Sequence, residues 1–313
     1  MFEAMSDEAQ AQFQSVIDLL RGGGPVNEIY VAREAVAAAH AGIKGAALLA
    51  AAVSGVGFGC ERDFGAAINW LVLAAERGDA RAQTQLQLLS GQAGDNWRAL
   101  GDAIDISAWL APRTTKLVVD APRIGVSEGF LDAPTCAWLI ERAAPLQAQS
   151  LVYDPTTGRA AAHDARSNSA ATFSLLELDL PLILIRERIA ATMRVPTAHL
   201  ERAAVFRYTA GQTFADHYDY LEPSPQLQAE IARRGQRPLT FLVYLNEAFE
   251  GGETHFIALD KKLRGAPGDA LFFYNVDETG APDPRTHHAG APPTSGEKWL
   301  LSQFIRDKPQ SAG

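Results

Sequence analysis

His217 and Asp219 stand two residues apart in the run Phe214-Ala215-Asp216-His217-Tyr218-Asp219-Tyr220. In extended chain, side chains two apart share a face, so the imidazole and the carboxylate point the same way. Together they make two-thirds of a metal site. A second imidazole from a distant strand would complete it, and His288 lies 288 − 219 = 69 residues further on. Its neighbour His287 is the rival, because adjacent strand residues face opposite ways and only one of the two can serve. Two histidines and one carboxylate on one side of a metal, with other positions open, is the donor set of non-haem Fe(II) oxygenases. A His-x-Asp pair alone is a weak signal in a chain with 7 histidines and 37 acidic residues. Its company strengthens it: Tyr208 precedes His217, and Lys298 follows His288 within Gly296-Glu297-Lys298-Trp299. A cation and a phenol near open metal positions suit a dicarboxylate that chelates the metal at one end and is held by these donors at the other.

Seven short motifs occur in order along the chain. They are Arg166-Ser167-Asn168-Ser169, Arg207-Tyr208 with Gly211-Gln212, His217-Tyr218-Asp219, Gly251-Gly252-Glu253-Thr254, Gly268-Asp269-Ala270-Leu271-Phe272-Phe273, His288-Ala289-Gly290 and Gly296-Glu297-Lys298-Trp299. In these the chain resembles the 2-oxoglutarate- and Fe(II)-dependent dioxygenases of the prolyl 4-hydroxylase type, over about residues 121–307. The resemblance implies His217, Asp219 and His288 as iron ligands and catalytic centre, the His-Ala-Gly match favouring His288 over His287. It implies Lys298 as the partner of the distal carboxylate of 2-oxoglutarate, with Tyr208 and Thr254 as supporting contacts. Arg166, Phe214 and Phe304 would face the substrate. The implied reaction hydroxylates a residue in a peptide or protein, proline first, and releases succinate and CO2; ascorbate would support turnover. Two departures stand out. Phe214 occupies a position where relatives acting on peptidyl proline often carry tyrosine, and Phe304 one where they often carry tryptophan. Both concern the substrate groove and spare the ligands, so a free small molecule remains an alternative substrate.

The composition sets the frame. Of 313 residues, 47% are hydrophobic and 21% charged, the balance of an ordinary folded protein. A net charge of −9 and a pI near 5.3 argue against a nucleic-acid partner, since phosphate binding wants a basic face. Cys60 and Cys136 are too few for a disulfide framework and read as thiols in a reducing compartment. The acidic start of the chain lacks the basic-then-apolar layout of a signal peptide. The most apolar run, 45–59, is too short and glycine-rich to span a bilayer. No membrane association and a cytoplasmic location are the expectations.

The ligands must be held by something. Residues 117–313 read as a catalytic domain whose later half is strand after strand: 205–208, 214–218, 239–245, 254–259, 270–274 and 298–305. Turn signals separate them, which points to an antiparallel double sheet or jelly roll. Along the last strand Lys298, Leu300, Ser302 and Phe304 share one face. Asp132 is a natural N-cap for a helix over 133–143. That helix and a second over 182–193 are expected against the outside of a sheet. Residues 154–158 read as a turn, and the excursion 221–238 as a lid. Residues 96–116 form a connector. Residues 1–95 are alanine-rich and helical in pattern, and Ala39-His40-Ala41-Gly42-Ile43-Lys44-Gly45-Ala46 returns as Ala75-Glu76-Arg77-Gly78-Asp79-Ala80-Arg81-Ala82, 78 − 42 = 36 residues on. That period fits stacked helix pairs, and the wording resembles Sel1-like repeats. The fold class expected is α+β, an N-terminal α-helical repeat region followed by a double-stranded β-helix (jelly roll) with flanking helices. The helical repeats leave room for a protein partner. A non-catalytic adaptor acting through them, or a metal-assisted hydrolase using the same ligands, are the competing readings.

Overall fold

The computed structural model describes residues 2–150, 152–154, 159–161, 165–222 and 224–310. The turn expected across 154–158 lies largely outside these residues, as does His163. By their contacts the described residues form two compact units. One comprises the described residues of 2–111 with 173–191, and the other those of 112–172 with 192–310.

The first unit is helical. α1 (Phe2–Arg21) is followed by α2 (Glu28–His40), α3 (Ala46–Val56), α4 (Phe64–Glu76) and α5 (Ala80–Ser90), then by short α6 (Trp97–Asp102) and α7 (Ile106–Leu110). α2 and α4 each have 13 residues, α3 and α5 each have 11, and α2 and α4 begin 64 − 28 = 36 residues apart. The repeat seen in the sequence is therefore a helix pair. Asn27, Asp63 and Asp79 cap α2, α4 and α5 by accepting from the backbone N–H of Tyr30, Ala66 and Ala82. Gly42 and Gly78, at φ of 81° and 84°, turn the chain after α2 and α4. Buried alanines such as Ala35, Ala39, Ala50 and Ala75 let the helices approach closely.

A helix far along the chain joins this unit. α8 (Ala133–Ala143) lies in the second unit, capped by Asp132 as expected. α9 (Leu180–Met193) does not follow it: residues 180–191 group with the N-terminal helices, not with the sheet as expected. The reason is physical. Leu180, Leu182, Ile183, Leu184, Ile185 and Ile189 are all buried, and within the charged run Arg186-Glu187-Arg188 the same helical unit takes up Glu187, which pairs with Arg62, and Arg188, which donates to the Trp109 and Ala108 carbonyls. Ile183 packs over Gly55 of α3, where an added Cβ would lie 3.1 Å from its Cδ1. Asp179 accepts from Arg81 at 2.7 Å and Gln85 at 2.8 Å, and Gln85 in turn accepts from the N–H of Leu180 at 2.9 Å.

The second unit is antiparallel β. Its strands in chain order are β1 (Lys116–Val119), β2 (Ile124–Ser127), β3 (Ala148–Gln149), β4 (Val152–Asp154), β5 (Arg159–Ala161), β6 (Ser169–Thr172), β7 (Ala204–Thr209) and β8 (Phe214–His217). They continue with β9 (Leu239–Tyr244), β10 (Phe249–Gly251), β11 (Thr254–Phe256), β12 (Lys261–Leu263), β13 (Ala270–Tyr274), β14 (His288–Gly290) and β15 (Pro293–Ile305). Among the described residues the large sheet runs β1-β2-β13-β9-β15-β7-β6-β3, with β10 also on β15, and the small sheet runs β12-β11-β14-β8. β4 and β5 pair as a separate ribbon. Phe206, Tyr208, Leu242, Tyr244 and Leu300 from the large sheet pack with Phe256 of the small one, so the core lies between the two. The α+β class is as expected.

The excursion after Tyr220 carries α10 (Pro225–Arg234). Its neck is closed by the Gln236 side chain, which accepts from the N–H of Leu221 at 2.6 Å and donates to its C=O at 2.8 Å. Arg306, Lys308 and Gln310 donate to the carbonyls of Gly235, Ala232 and Arg234. The C-terminal end of the excursion expected as a lid is thus tied to the chain that follows β15 through the carbonyls of Ala232, Arg234 and Gly235.

Candidate metal centre

His217 closes β8 and His288 opens β14, and the antiparallel pairing sets these two residues opposite each other. Their ring centroids are 4.3 Å apart. Asp219, two residues past His217 and on the same side, places Oδ1 3.3 Å from His217 Nε2 and Oδ2 3.7 Å from His288 Nε2. One ligand atom from each of the three lies within 4.8 Å of the others. No other group of three or more such residues among those described converges in this way. His287 faces elsewhere, with Nε2 3.5 Å from Asp216 Oδ2.

The imidazoles are oriented for a metal. His217 Nδ1 lies 2.8 Å from the Ala215 carbonyl and His288 Nδ1 lies 2.9 Å from that of Thr286. A carbonyl can only accept, so Nδ1 carries the proton in each ring and Nε2 presents its lone pair. Burial, with His217 beside it, lowers the His288 pKa to about 4, which keeps that ring neutral. Burial pushes the Asp219 carboxyl up, but His288, His217 and the Thr240 hydroxyl outweigh it and hold the group well below the usual carboxylate range. Thr240 Oγ1 donates to Asp219 Oδ2 at 2.7 Å. Asn275 Nδ2 donates to Thr240 Oγ1 at 3.0 Å and to the Arg237 carbonyl at 3.1 Å, which commits the Thr240 proton to the carboxylate.

Lys298 lies directly across the β15–β7 ladder from Tyr208. It is 1% exposed. Its Nζ stands 5.2 Å from the Tyr208 ring centre and 5.6 Å from that of Tyr244. Among the described residues no carboxylate or hydrogen-bond acceptor pairs with it, and these two ring faces are its cation contacts. Burial lowers its pKa to about 7, an effect that more distant Glu253 only partly offsets. The Gly251-Gly252 turn passes close beside this side chain and the Phe249 ring. Gly252 sits at φ 70°, and a Cβ there would fall 2.9 Å from Phe249 Cε2 and 3.4 Å from Lys298 Cδ. Thr254, 3% exposed, shares a hydrogen bond of 3.1 Å with Tyr244 Oη. Burial raises the Tyr208 and Tyr244 phenols to about 12, so both remain protonated donors.

All three ligands, together with Tyr208, Thr254, Lys298, Phe214 and Phe304, line one cavity. The shared face expected for Lys298, Leu300, Ser302 and Phe304 is observed, since all four line it. Phe214 stacks on His217 with centroids 3.5 Å apart. The Arg166 guanidinium stands 4.8 Å from the Phe206 ring centre and 4.4 Å from that of Phe214, while Arg237 covers Phe304 at 4.2 Å. Sequence reading missed Thr240, Asn275 and Tyr244. A threonine inside the apolar run Leu239-Thr240-Phe241-Leu242-Val243 was the available signal for the first.

The donor set fits Fe(II): two imidazole nitrogens and one carboxylate, with the rest of the coordination sphere facing a cavity. The lysine fits the far end of a dicarboxylate, because a buried ammonium without an anion is expensive and a carboxylate relieves it.

Residues 203–306 match the family model described as the 2OG-Fe(II) oxygenase superfamily. Prolyl 4-hydroxylase 1 of Arabidopsis thaliana is 34% identical over 247 residues, which cover 71% of this chain and 85% of that protein. Probable prolyl 4-hydroxylase 3 of the same plant is 30% identical over 244 residues, covering 72% of this chain and 77% of its own length. Among solved structures, the 2OG complex of the viral collagen prolyl hydroxylase vCPH from Paramecium Bursaria Chlorella virus-1 is 28% identical. It covers 60% of this chain and 98% of its own, with a TM-score of 0.47.

Proposed function

The chain belongs to the prolyl 4-hydroxylases of the 2OG-Fe(II) oxygenase superfamily, and from that premise we propose that it hydroxylates a proline in a peptide or protein. It is a 2-oxoglutarate- and Fe(II)-dependent dioxygenase. Iron and 2-oxoglutarate, when bound, supply the activation of O2 and the delivery of one oxygen atom to a C–H bond, with succinate and CO2 released.

The protein's own part is positioning. His217, Asp219 and His288 would hold the metal, each fixed by a hydrogen bond from its far side, and such supports typically matter 10–100-fold. Lys298 pairs with the distal carboxylate, with the Tyr208 and Thr254 hydroxyls beside it. Phe206, Leu242, Leu300 and Phe304 give the cavity apolar walls that exclude water. Arg166, Phe214 and Phe304 are the substrate side of this reading. Phenylalanine at 214 leaves proline recognition to stacking and shape where a phenol would add a hydrogen bond. Ascorbate supports turnover. The helical residues 1–95 act as Sel1-like repeats that recruit the substrate protein, 96–116 connect, and 117–313 catalyse. Two free cysteines, Cys60 and Cys136, accord with the reducing cytoplasm.

The single observation that carries the reading is the buried, unpaired Lys298 sharing a cavity with the His-Asp-His cluster. Its test is mass spectrometry of proline-rich peptides incubated with the protein, Fe(II), 2-oxoglutarate and ascorbate. A +16 Da product on proline, matched by succinate and absent with His217→Ala, is the expected result. Succinate formed without any modified peptide or protein would reject the substrate assignment.

A further inference from the structure

Ser302 lies on β15 four residues beyond Lys298, and only 2% of it is exposed. Its Oγ is buried with no hydrogen-bond partner among the described residues. Ser302 is among the residues lining the cavity of the metal ligands, as are Phe206, Leu242, Leu300 and Phe304. A hydroxyl among such walls is destabilising unless something accepts from it. Strand register locates it. Lys298 pairs with Tyr208 on β7, Ser302 with Leu242 on β9, and Phe304 with Thr240, whose hydroxyl binds Asp219. Ser302 is therefore one inward step from the level of Asp219 and two from that of Lys298. It belongs to the metal's end of the cavity, not to the end that takes the distal carboxylate.

We propose that Ser302 donates a hydrogen bond to an oxygen ligand on the open face of the metal held by His217, Asp219 and His288, and so positions that ligand. This rests on the iron and 2-oxoglutarate reading above. Two oxygen sources share the chemistry: a metal-bound water, and the metal-bound end of 2-oxoglutarate. The hydroxyl touches the ligand's oxygen only, so it tunes binding and orientation and moves no proton.

The test compares native protein with Ser302→Ala and Ser302→Thr, all anaerobic. Iron with 2-oxoglutarate reads the cosubstrate through its charge-transfer absorption, and cobalt(II) without 2-oxoglutarate reads the water through its ligand-field spectrum. Ser302→Ala should weaken 2-oxoglutarate by roughly tenfold or more and shift the band, the size of effect expected for a lost bond to a charged group. Ser302→Thr, which keeps a hydroxyl, should restore both. A change confined to the cobalt spectrum assigns the water as the acceptor. Apo Ser302→Ala should melt no lower than native protein, because an unpartnered hydroxyl has been removed; a purely structural serine would show the opposite. Native protein without any charge-transfer band would defeat the underlying reading. A native band that Ser302→Ala leaves unchanged, with an unchanged cobalt spectrum, overturns this inference alone.

Discussion

Replacing Lys298 by methionine should make the protein more stable and useless to its cosubstrate. Methionine keeps the unbranched shape and most of the volume of the side chain, one heavy atom shorter, and removes the charge. Burial lowers the lysine pKa from 10.5 to about 7. At about 1.4 kcal/mol per pH unit, holding the ammonium in the folded state costs on the order of 5 kcal/mol. The sign follows from proton counting. Between pH 7 and 10.5 the unfolded chain binds the proton and the folded chain does not, so this contribution to stability rises with pH. The penalty is fully present below pH 7, falls to roughly 2 kcal/mol at pH 9 and is gone above 10.5. Lys298→Met should therefore raise the melting temperature most at pH 6, by about 10–20 °C if each kcal/mol is worth ~2–4 °C, and much less at pH 9. Calorimetry on apo protein at both pH values reads this directly. Adding Mn(II) with 2-oxoglutarate should stabilise native protein and leave Lys298→Met where Mn(II) alone puts it. A destabilised Lys298→Met at pH 6, or one that still gains from 2-oxoglutarate as native protein does, would refute the idea that the lysine waits for a carboxylate.

The same lysine gives 2-oxoglutarate binding a pH dependence. Binding raises its pKa, so affinity should be level below pH 7 and fall up to tenfold per pH unit above it, with proton uptake measurable by calorimetry in buffers of different ionisation heat. A flat profile from pH 7 to 9 would contradict this. Thr240→Val deletes the donor to Asp219 Oδ2 and should weaken metal binding about 10–100-fold in a competition assay, with little loss of fold. His288→Ala should abolish tight metal binding while His287→Ala retains it; the reverse would reassign the third ligand. Ile183→Ala should destabilise the helical unit by about 2–5 kcal/mol, seen as faster hydrogen exchange in α3, whose Gly55 it covers. Unaltered exchange there would detach α9 from the unit.

The sequence makes the site unusually legible, for a geometric reason. Strand periodicity is two, so Lys298, Leu300, Ser302 and Phe304 had to share a side of β15. The His-x-Asp spacing pointed to the right pair, but β8 ends at His217, so Asp219 reaches the same cavity from the bend beyond the strand. The repeat of residues 39–46 at 75–82 likewise surfaces as two helix pairs of equal length. What escaped is what depends on packing between distant segments. An apolar stretch such as Leu182-Ile183-Leu184-Ile185 says only that it must be buried, and whether a sheet or the N-terminal helices cover it is a tertiary matter. The Asn275–Thr240–Asp219 chain escaped for the same cause: its three members lie on three segments, and no local pattern links them. The excursion 221–238 looks free in sequence because its fastenings, Arg306, Lys308 and Gln310, come long after it.

The most direct measurement is an anaerobic titration of apo protein with Fe(II) and then 2-oxoglutarate, followed by absorption. One iron and one 2-oxoglutarate per chain, with a charge-transfer band that disappears in Asp219→Ala and needs far more 2-oxoglutarate in Lys298→Met, is the expected result. Iron that binds native protein and Asp219→Ala alike, or a site that takes metal and shows no band with saturating 2-oxoglutarate, would contradict the assignment of this cavity.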